Sequence, residues 1–276
     1  MRQPNKPESG ITTMHACLAK PFIDTPVRVL SPFDFSCDVP IRPVPAAATS
    51  YPDQIQHQSP APIAVQELRQ VLHIGCGTYH PDKLPDLFRE AGWREIRLDI
   101  DPQVEPDLVA SITDMRIIAD SAMTAVYSAH NIEHLYPHEV PAALSEIRRV
   151  LKPDGFAYIT LPDLQEVAHR IADGKLDEPL YLSTMGPIAP LDIIYGHRGA
   201  IADGNMFMAH RTGFTSETLG RALIEAGFAA ALVQRQVAAF ALTAIAFRHR
   251  PGQQEVRTAH AHMSPDWPVV LYEPAH

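Results

Sequence analysis

Val71-Leu72-His73-Ile74-Gly75-Cys76-Gly77-Thr78 is the stretch from which the fold of this 276-residue chain can be read. Three apolar residues in four make a short buried strand of the parallel kind. Two glycines, two positions apart, follow at once. A turn that bends sharply and lies against a ligand needs residues without a Cβ. After a further loop, residues 84–91 have the composition of a helix, and Gly92 is placed to close it. Strand, glycine turn and helix are the first half of a nucleotide-binding crossover. Gly-x-Gly alone is a weak signal. It gains weight from Asp99, which ends a second strand (Glu95-Ile96-Arg97-Leu98) about twenty residues on, where a carboxylate can accept both hydroxyls of a ribose.

Composition narrows the classes. The chain is 46% apolar, enough for a full core, and carries a formal charge of −9 with no run of Lys or Arg. That argues against a basic face for nucleic acid, although an acidic total leaves room for a local patch. The three cysteines, Cys17, Cys37 and Cys76, have no paired spacing. A disulfide framework or four-cysteine zinc site is therefore not expected, no metal is anticipated, and a reducing cytoplasm fits. The stretch Met1-Arg2-Gln3-Pro4-Asn5-Lys6-Pro7-Glu8 lacks the apolar core of a signal peptide. The longest apolar run, 237–247, is too short to span a bilayer. The expected partner is a small molecule, without nucleic acid or membrane, and a homodimer stays open.

Three regions follow from the texture. Residues 1–66 hold eleven of the 26 prolines and read as an irregular N-terminal extension. Within it, Val27–Leu30 and Phe33–Phe35 are apolar enough to dock, as a surface arm or as a lid. Residues 67–250 alternate strands and helices, which implies a parallel sheet. Strands are expected at 123–128, 156–161, 230–235 and 240–247, and helices at 141–151, 164–172 and 216–226, the last capped by Thr215 or Ser216. Lys152-Pro153-Asp154-Gly155 reads as a turn. The last two strands have only a short link, so one of them is antiparallel. Residues 177–213, rich in Gly, Pro, Met and His, have no clean period and form an insertion. The tail, 251–276, is polar except for Pro268–Tyr272, a candidate added strand.

Several segments together carry a family resemblance. They are Val71–Gly77, Arg97-Leu98-Asp99-Ile100-Asp101-Pro102, Ser128-Ala129-His130-Asn131-Ile132-Glu133-His134-Leu135, Ile147–Gly155, and Gly213-Phe214-Thr215 with 219–228. In this order they resemble the class I S-adenosylmethionine-dependent methyltransferases, particularly the small-molecule branch often called type 11. The resemblance covers roughly residues 68–248. It implies an α/β, Rossmann-like sheet of seven strands in the order 3-2-1-4-5-7-6, one of them antiparallel. It also implies S-adenosylmethionine as cofactor, with S-adenosylhomocysteine as product. Three positions depart from the family pattern: His73 stands for an acidic residue, Tyr79 for a third glycine, and Ser111 for the adenine-binding acid, with Asp114 three residues on.

The resemblance places His73, Gly75, Cys76, Gly77, Asp99, Ile100, Ser111, Ile112 and His130 at the cofactor. Gly75 and Gly77 approach its amino-acid part, Asp99 its ribose and Ile112 its adenine. His130 and Asn131 follow the fourth strand of the domain, at the carboxyl edge of the sheet where ligands sit. The insertion supplies a candidate substrate pocket: Tyr195, Arg198, Met206, Phe207 and Arg211, with His197 and His210 joining His130 as candidate bases. Arg198 or Arg211 pairing with Asp192 or Asp203 on a surface loop, with the methionines filling core, is the plainer alternative. The expected chemistry is in-line transfer of a methyl group to an oxygen or nitrogen of a small metabolite, under a cap formed by residues 181–213. Two other readings stay open. One is a cofactor-binding protein of the same fold that transfers no methyl group. The other is a metallohydrolase, because His130-Asn131-Ile132-Glu133-His134 matches H-x-x-E-H.

Overall fold

The computed structural model describes residues 68–275 and the backbone of Val27–Leu30. The rest of the expected extension, including Phe33–Phe35, lies outside the described residues. In chain order the strands are β1 (Val27–Leu30), β2 (Arg69–Ile74), β3 (Trp93–Asp99), β4 (Leu108–Val109), β5 (Met123–Ala129), β6 (Leu151–Pro162), β7 (Tyr181–Ser183), β8 (Gly186–Ile188), β9 (Ala230–Gln236), β10 (Ala241–Phe247) and β11 (Val269–Tyr272). The helices are α1 (Asp86–Arg89), α2 (Val140–Val150), α3 (Leu164–Ala172), α4 (Pro190–Tyr195), α5 (Arg198–Ala202), α6 (Ser216–Glu225) and α7 (Gln253–Ala261).

The main sheet runs β1-β11-β9-β10-β6-β5-β2-β3-β4. From β4 to β6 the pairing is parallel, and β10 lies antiparallel between β6 and β9. The expected order is thus present as β4-β3-β2-β5-β6-β10-β9. The expected count is not: β11 adds an eighth strand on β9, and β1 a ninth on β11, both antiparallel. The reason is physical. The edge of β9 would otherwise present unpaired backbone groups, and the apolar run 269–272 covers it.

Alternation along the strands sets two cores. Val71, Tyr127, Tyr158 and Ile245 face one side with Phe88 of α1 and Ala259 of α7. Leu72, Ile74, Leu98 and Val126 face the other, against Leu144 and Ile147 of α2 and Leu219 and Leu223 of α6. α2 forms because Val140, Ala143, Leu144, Ile147 and Val150 recur every three or four residues and are all buried. α6 begins where the Thr215 side chain accepts the Thr218 amide.

Local sequence misjudges three elements. The helix expected over 84–91 is only α1, four residues long. Pro81 and Pro85 interrupt the ladder, and the preceding loop is held instead by Lys83, whose Nζ donates to the carbonyls of Cys76 (2.9 Å) and Thr78 (2.6 Å). Residues 152–155, expected as a turn, are part of β6, whose register against β5 shifts between Met123 and Ala125. The polar tail contains α7, which the second core captures through Ala259 and Met263.

The insertion is built from the β7–β8 hairpin, α4 and α5. Its anchor is Asp192, 7% exposed. The carboxylate accepts from the Ala189 amide (3.0 Å), the Arg198 amide (3.3 Å) and Arg198 Nε (2.8 Å). Burial works to raise its pKa, but the Arg198 guanidinium and the backbone amides outweigh that and hold it at about 2.

Two tests follow from these contacts. A Cβ on Gly220 of α6 would lie 2.5 Å from the Tyr272 ring of β11. Gly220→Ala should therefore cost about 1–3 kcal/mol in urea unfolding; an unchanged midpoint would mean that β11 shifts freely. Because the Asp192 pKa is lower folded than unfolded, its contribution is present above about pH 4 and is lost as pH falls through its folded value of about 2. Asp192→Asn should loosen the insertion at pH 7 by on the order of 1–2 kcal/mol and have little further effect below pH 2. Protection of the Gly196 amide, which donates to the Asp192 carbonyl at 2.8 Å, reports it; equal protection in both proteins at pH 7 rules the anchor out.

Candidate active site

A cleft opens at the carboxyl ends of β2, β3 and β5. One wall carries Gly75, Gly77, Asp99, Ile100, Asp101, Ser111 and Ile112. The other carries His130, Asn131, His134 and Leu135 after β5, and Asn205, Phe207, Met208 and Arg211 from the insertion. Residues far apart in sequence thus meet because parallel strands bring their ends to one edge.

The glycine turn is backbone-built. Gly75 (φ +63°) and Gly77 (φ +56°) are both left-handed, where a side chain is strained. A Cβ on Gly75 would fall 2.0 Å from Asn131 Nδ2, so the bare backbone is what leaves room at the cleft floor. The Gly77 amide donates to Asp99 Oδ2 at 2.8 Å, and the Asp101 amide to Oδ1 at 3.0 Å. An ionised carboxylate has about four lone-pair sites, so Asp99 fixes the turn and still has acceptor capacity facing the cleft. Ile100, half exposed, and Ile112, buried, supply apolar surface beside it. An apolar slot, a carboxylate and a side-chain-free turn fit the base, sugar and amino-acid parts of S-adenosylmethionine. Bound there, the cofactor would supply an electrophilic methyl group.

The opposite wall is electrostatically loaded. His130 adopts left-handed φ +47°, an unusual conformation for a residue with a side chain. Its Nδ1 lies 3.4 Å from Glu133 Oε1, and the imidazole stays about half open (53%) while the carboxylate is 1% exposed. Crowding disfavours the charged imidazole, but the Glu133 carboxylate outweighs this and raises the His130 pKa. Burial pushes the Glu133 pKa up, yet the imidazoles of His130 and His134 bring it below the ordinary value. The contact is a charge pair, since neither Glu133 oxygen has an aligned hydrogen-bond donor. His134 and His210 stack edge to face with centroids 4.8 Å apart. Burial holds the His210 pKa down.

Gly75, Gly77, Asp99, Ile100, Ser111, Ile112, His130, Asn131, Phe207 and Arg211 line the cleft, among the residues the sequence singles out. Others point elsewhere. His73 is buried on the opposite face of β2, with Nδ1 2.6 Å from Glu95 Oε1 and its ring against Tyr127. Cys76 is buried behind the turn, and burial raises its thiol pKa. His197 caps α5 by accepting the Ala200 amide (3.0 Å), and Arg198 pairs with Asp192, so neither reaches the cleft. Tyr195 and Met206 are 61% and 58% exposed and lie outside it. His210 sits behind His134 rather than in the cleft wall. Asp114 is turned outward onto Arg116, with two contacts of 2.7 Å.

The H-x-x-E-H stretch does not form one helical face, as that motif requires, because only Ile132–His134 make a 3₁₀ turn after the left-handed His130. Ile74, Leu98, Asp101, Val104, Ala110, His134, Leu135, Asn205 and Met208 also line the cleft, outside the candidate set read from the sequence. Ile74, Leu98, Asp101, His134 and Leu135 lie inside the resembling segments and were findable there. Asn205 and Met208 depend on how the insertion folds back.

Residues 72–159 match a family model described as "Methyltransferase domain". No curated protein matches the chain in sequence. Among solved structures, a Burkholderia thailandensis 1,6-didemethyltoxoflavin-N1-methyltransferase with bound S-adenosylhomocysteine is similar at 16% identity, over 67% of this chain and 72% of that one, with a TM-score of 0.42. A SAM-dependent methyltransferase from Archaeoglobus fulgidus is 16% identical over 75% and 87% of the two chains (TM-score 0.40). One from Methanosarcina mazei is 14% identical over 77% and 95% (TM-score 0.43). Likenesses this distant say nothing of substrate. The turn glycines, Asp99, β3, β5 and the 130–135 segment all lie inside the region that matches the methyltransferase domain, which is about a third of the chain.

Proposed function

We propose that the cleft transfers the methyl group of S-adenosylmethionine to an oxygen or nitrogen of a small-molecule metabolite held under the insertion. The observation that carries this reading is the meeting of Asn205, Phe207, Met208 and Arg211 with Gly75, Asp99 and Asn131 in one cleft. A roof of aromatic, thioether and guanidinium groups over the cofactor floor suits a flat, partly polar acceptor. The charge of −9 argues against a nucleic-acid substrate.

In the reaction the acceptor lone pair forms a bond to the methyl carbon as the carbon–sulfur bond breaks. The chain's contribution is alignment and exclusion of water. Gly75 and Gly77 set the depth of the cofactor, Asp99 its rotation about the ribose, and Phe207 and Met208 close the acceptor side. Arg211 is held by stacking over Tyr136 (4.8 Å to the ring centroid) and by donating to the His134 carbonyl (3.0 Å). It lines the cleft as a group able to meet an anionic substituent of the acceptor. His130 is the open imidazole beside Asn131 and the residue placed to take a proton from the acceptor. The His73 departure does not weigh against cofactor binding, because that side chain is buried away from the cleft.

Asp99→Ala should weaken S-adenosylhomocysteine binding by about 1–3 kcal/mol in calorimetry. Gly75→Val should do at least as much while the far-ultraviolet circular dichroism stays native, since it combines backbone strain with a blocked floor. Normal affinity in both variants would remove the cofactor assignment. His130→Ala should lower kcat by roughly 10²–10⁴ with cofactor affinity intact. Full turnover in that variant would mean that alignment alone drives the reaction.

A further inference from the structure

We infer that Glu133, His134 and His210 form a binding site for a divalent transition cation, next to the acceptor side of the cleft. One ligand atom from each of the three side chains lies within 4.8 Å of the others. Two imidazoles and a carboxylate are a donor set suited to zinc, cobalt, iron(II) or manganese, with positions left open.

Three observations support a cation rather than a chance cluster. The first is the hydrogen bonding of the imidazoles. His134 Nδ1 lies 3.1 Å from the Ala209 carbonyl, and His210 Nδ1 lies 2.7 Å from the Ile193 carbonyl. A carbonyl only accepts, so both rings carry their proton on Nδ1 and keep the Nε2 lone pair for a ligand. Backbone acceptors of this kind fix the tautomer of metal-binding histidines. The second is Glu133, which is 1% exposed and whose two buried oxygens have no hydrogen-bond donor. Burying a carboxylate without donors is costly, and the contact with His130 at 3.4 Å satisfies it only in part. A cation would complete it. The third is the backbone. The amides of Arg211 and Thr212 both donate to the Glu133 carbonyl, at 2.8 and 3.2 Å. They fix the insertion strand carrying His210 against the segment carrying Glu133 and His134, so the three ligands are held before any ion arrives.

The test uses the full chain without an affinity tag, titrated with Co²⁺ and followed by visible absorption, with Zn²⁺ measured by equilibrium dialysis. One equivalent of each should bind. Glu133→Gln, His134→Ala and His210→Ala should each weaken binding by about 10–100-fold or more, while His138→Ala, outside the cluster, should not. Glu133→Gln keeps side-chain volume, so it gives a reading even if a histidine variant unfolds. Absent stoichiometric binding, or equal affinity in wild type and all three variants, overturns the site. S-adenosylhomocysteine titrated without metal measures the cofactor cleft separately, so failure of the cation site is distinct from failure of the methyltransferase reading.

Discussion

The hydrogen bond from the Gly77 amide to Asp99 Oδ2, 2.8 Å long, is the contact on which the cofactor end of this molecule depends. It joins the end of β2 to the end of β3. Parallel register makes it reachable, since Ile74 pairs with Leu98 and leaves the turn and the carboxylate at the same level. Family folds of this type ordinarily rely on a helix to brace the turn. Here α1 is too short for that, and charged side chains substitute. Lys83 takes the Cys76 and Thr78 carbonyls, and Arg97 takes that of Gly77. With its carbonyls held from behind, the turn keeps its shape through side-chain cations rather than through a helix.

The acceptor end depends on a different contact. The Glu133 carbonyl accepts two amides from the insertion, and its carboxylate lies buried among three imidazoles. Backbone and side chain of one residue thus serve two purposes: the first docks the roof, the second sets the local charge. The insertion is further braced by Asp192 with Arg198, which explains why Arg198 is unavailable to a substrate and Arg211 is the guanidinium in the cleft. Rigid anchoring of an otherwise irregular segment is what lets a loop region present side chains to a site.

Much of the fold was legible because its signals are local. Alternating buried strands, the apolar stripe of α2 and the Thr215 cap of α6 each follow from residue spacing. Where the reading failed, a non-local partner decided. α7 looks polar, and becomes an element only because Ala259 and Met263 meet the second core. β6 continues past Pro153 because Leu151 and Phe156 both pair with β5, at Met123 and Ala125, and residues 152–155 bulge between them. β11 is the added strand that the apolar run 268–272 suggested, but its place on the edge of β9, and that of β1 beyond it, were set by the edge that needed a partner.

The sequence by itself determined the glycine turn, the acidic end of β3 and the position of His130 and Asn131 after β5, and its family resemblance implied the strand order from β4 to β9. The first three follow from short-range spacing, and the sheet then places their ends together. Only the tertiary structure decided which groups of the insertion face inward. Phe207 and Arg211 line the cleft, whereas Tyr195, His197 and Arg198 do not, because α4 and α5 satisfy their own ends locally and turn those residues aside. The same holds for Glu133, His134 and His210. Two of these are neighbours in sequence, but the third is more than seventy residues away, and its distance from them is fixed by backbone hydrogen bonds that no local pattern encodes.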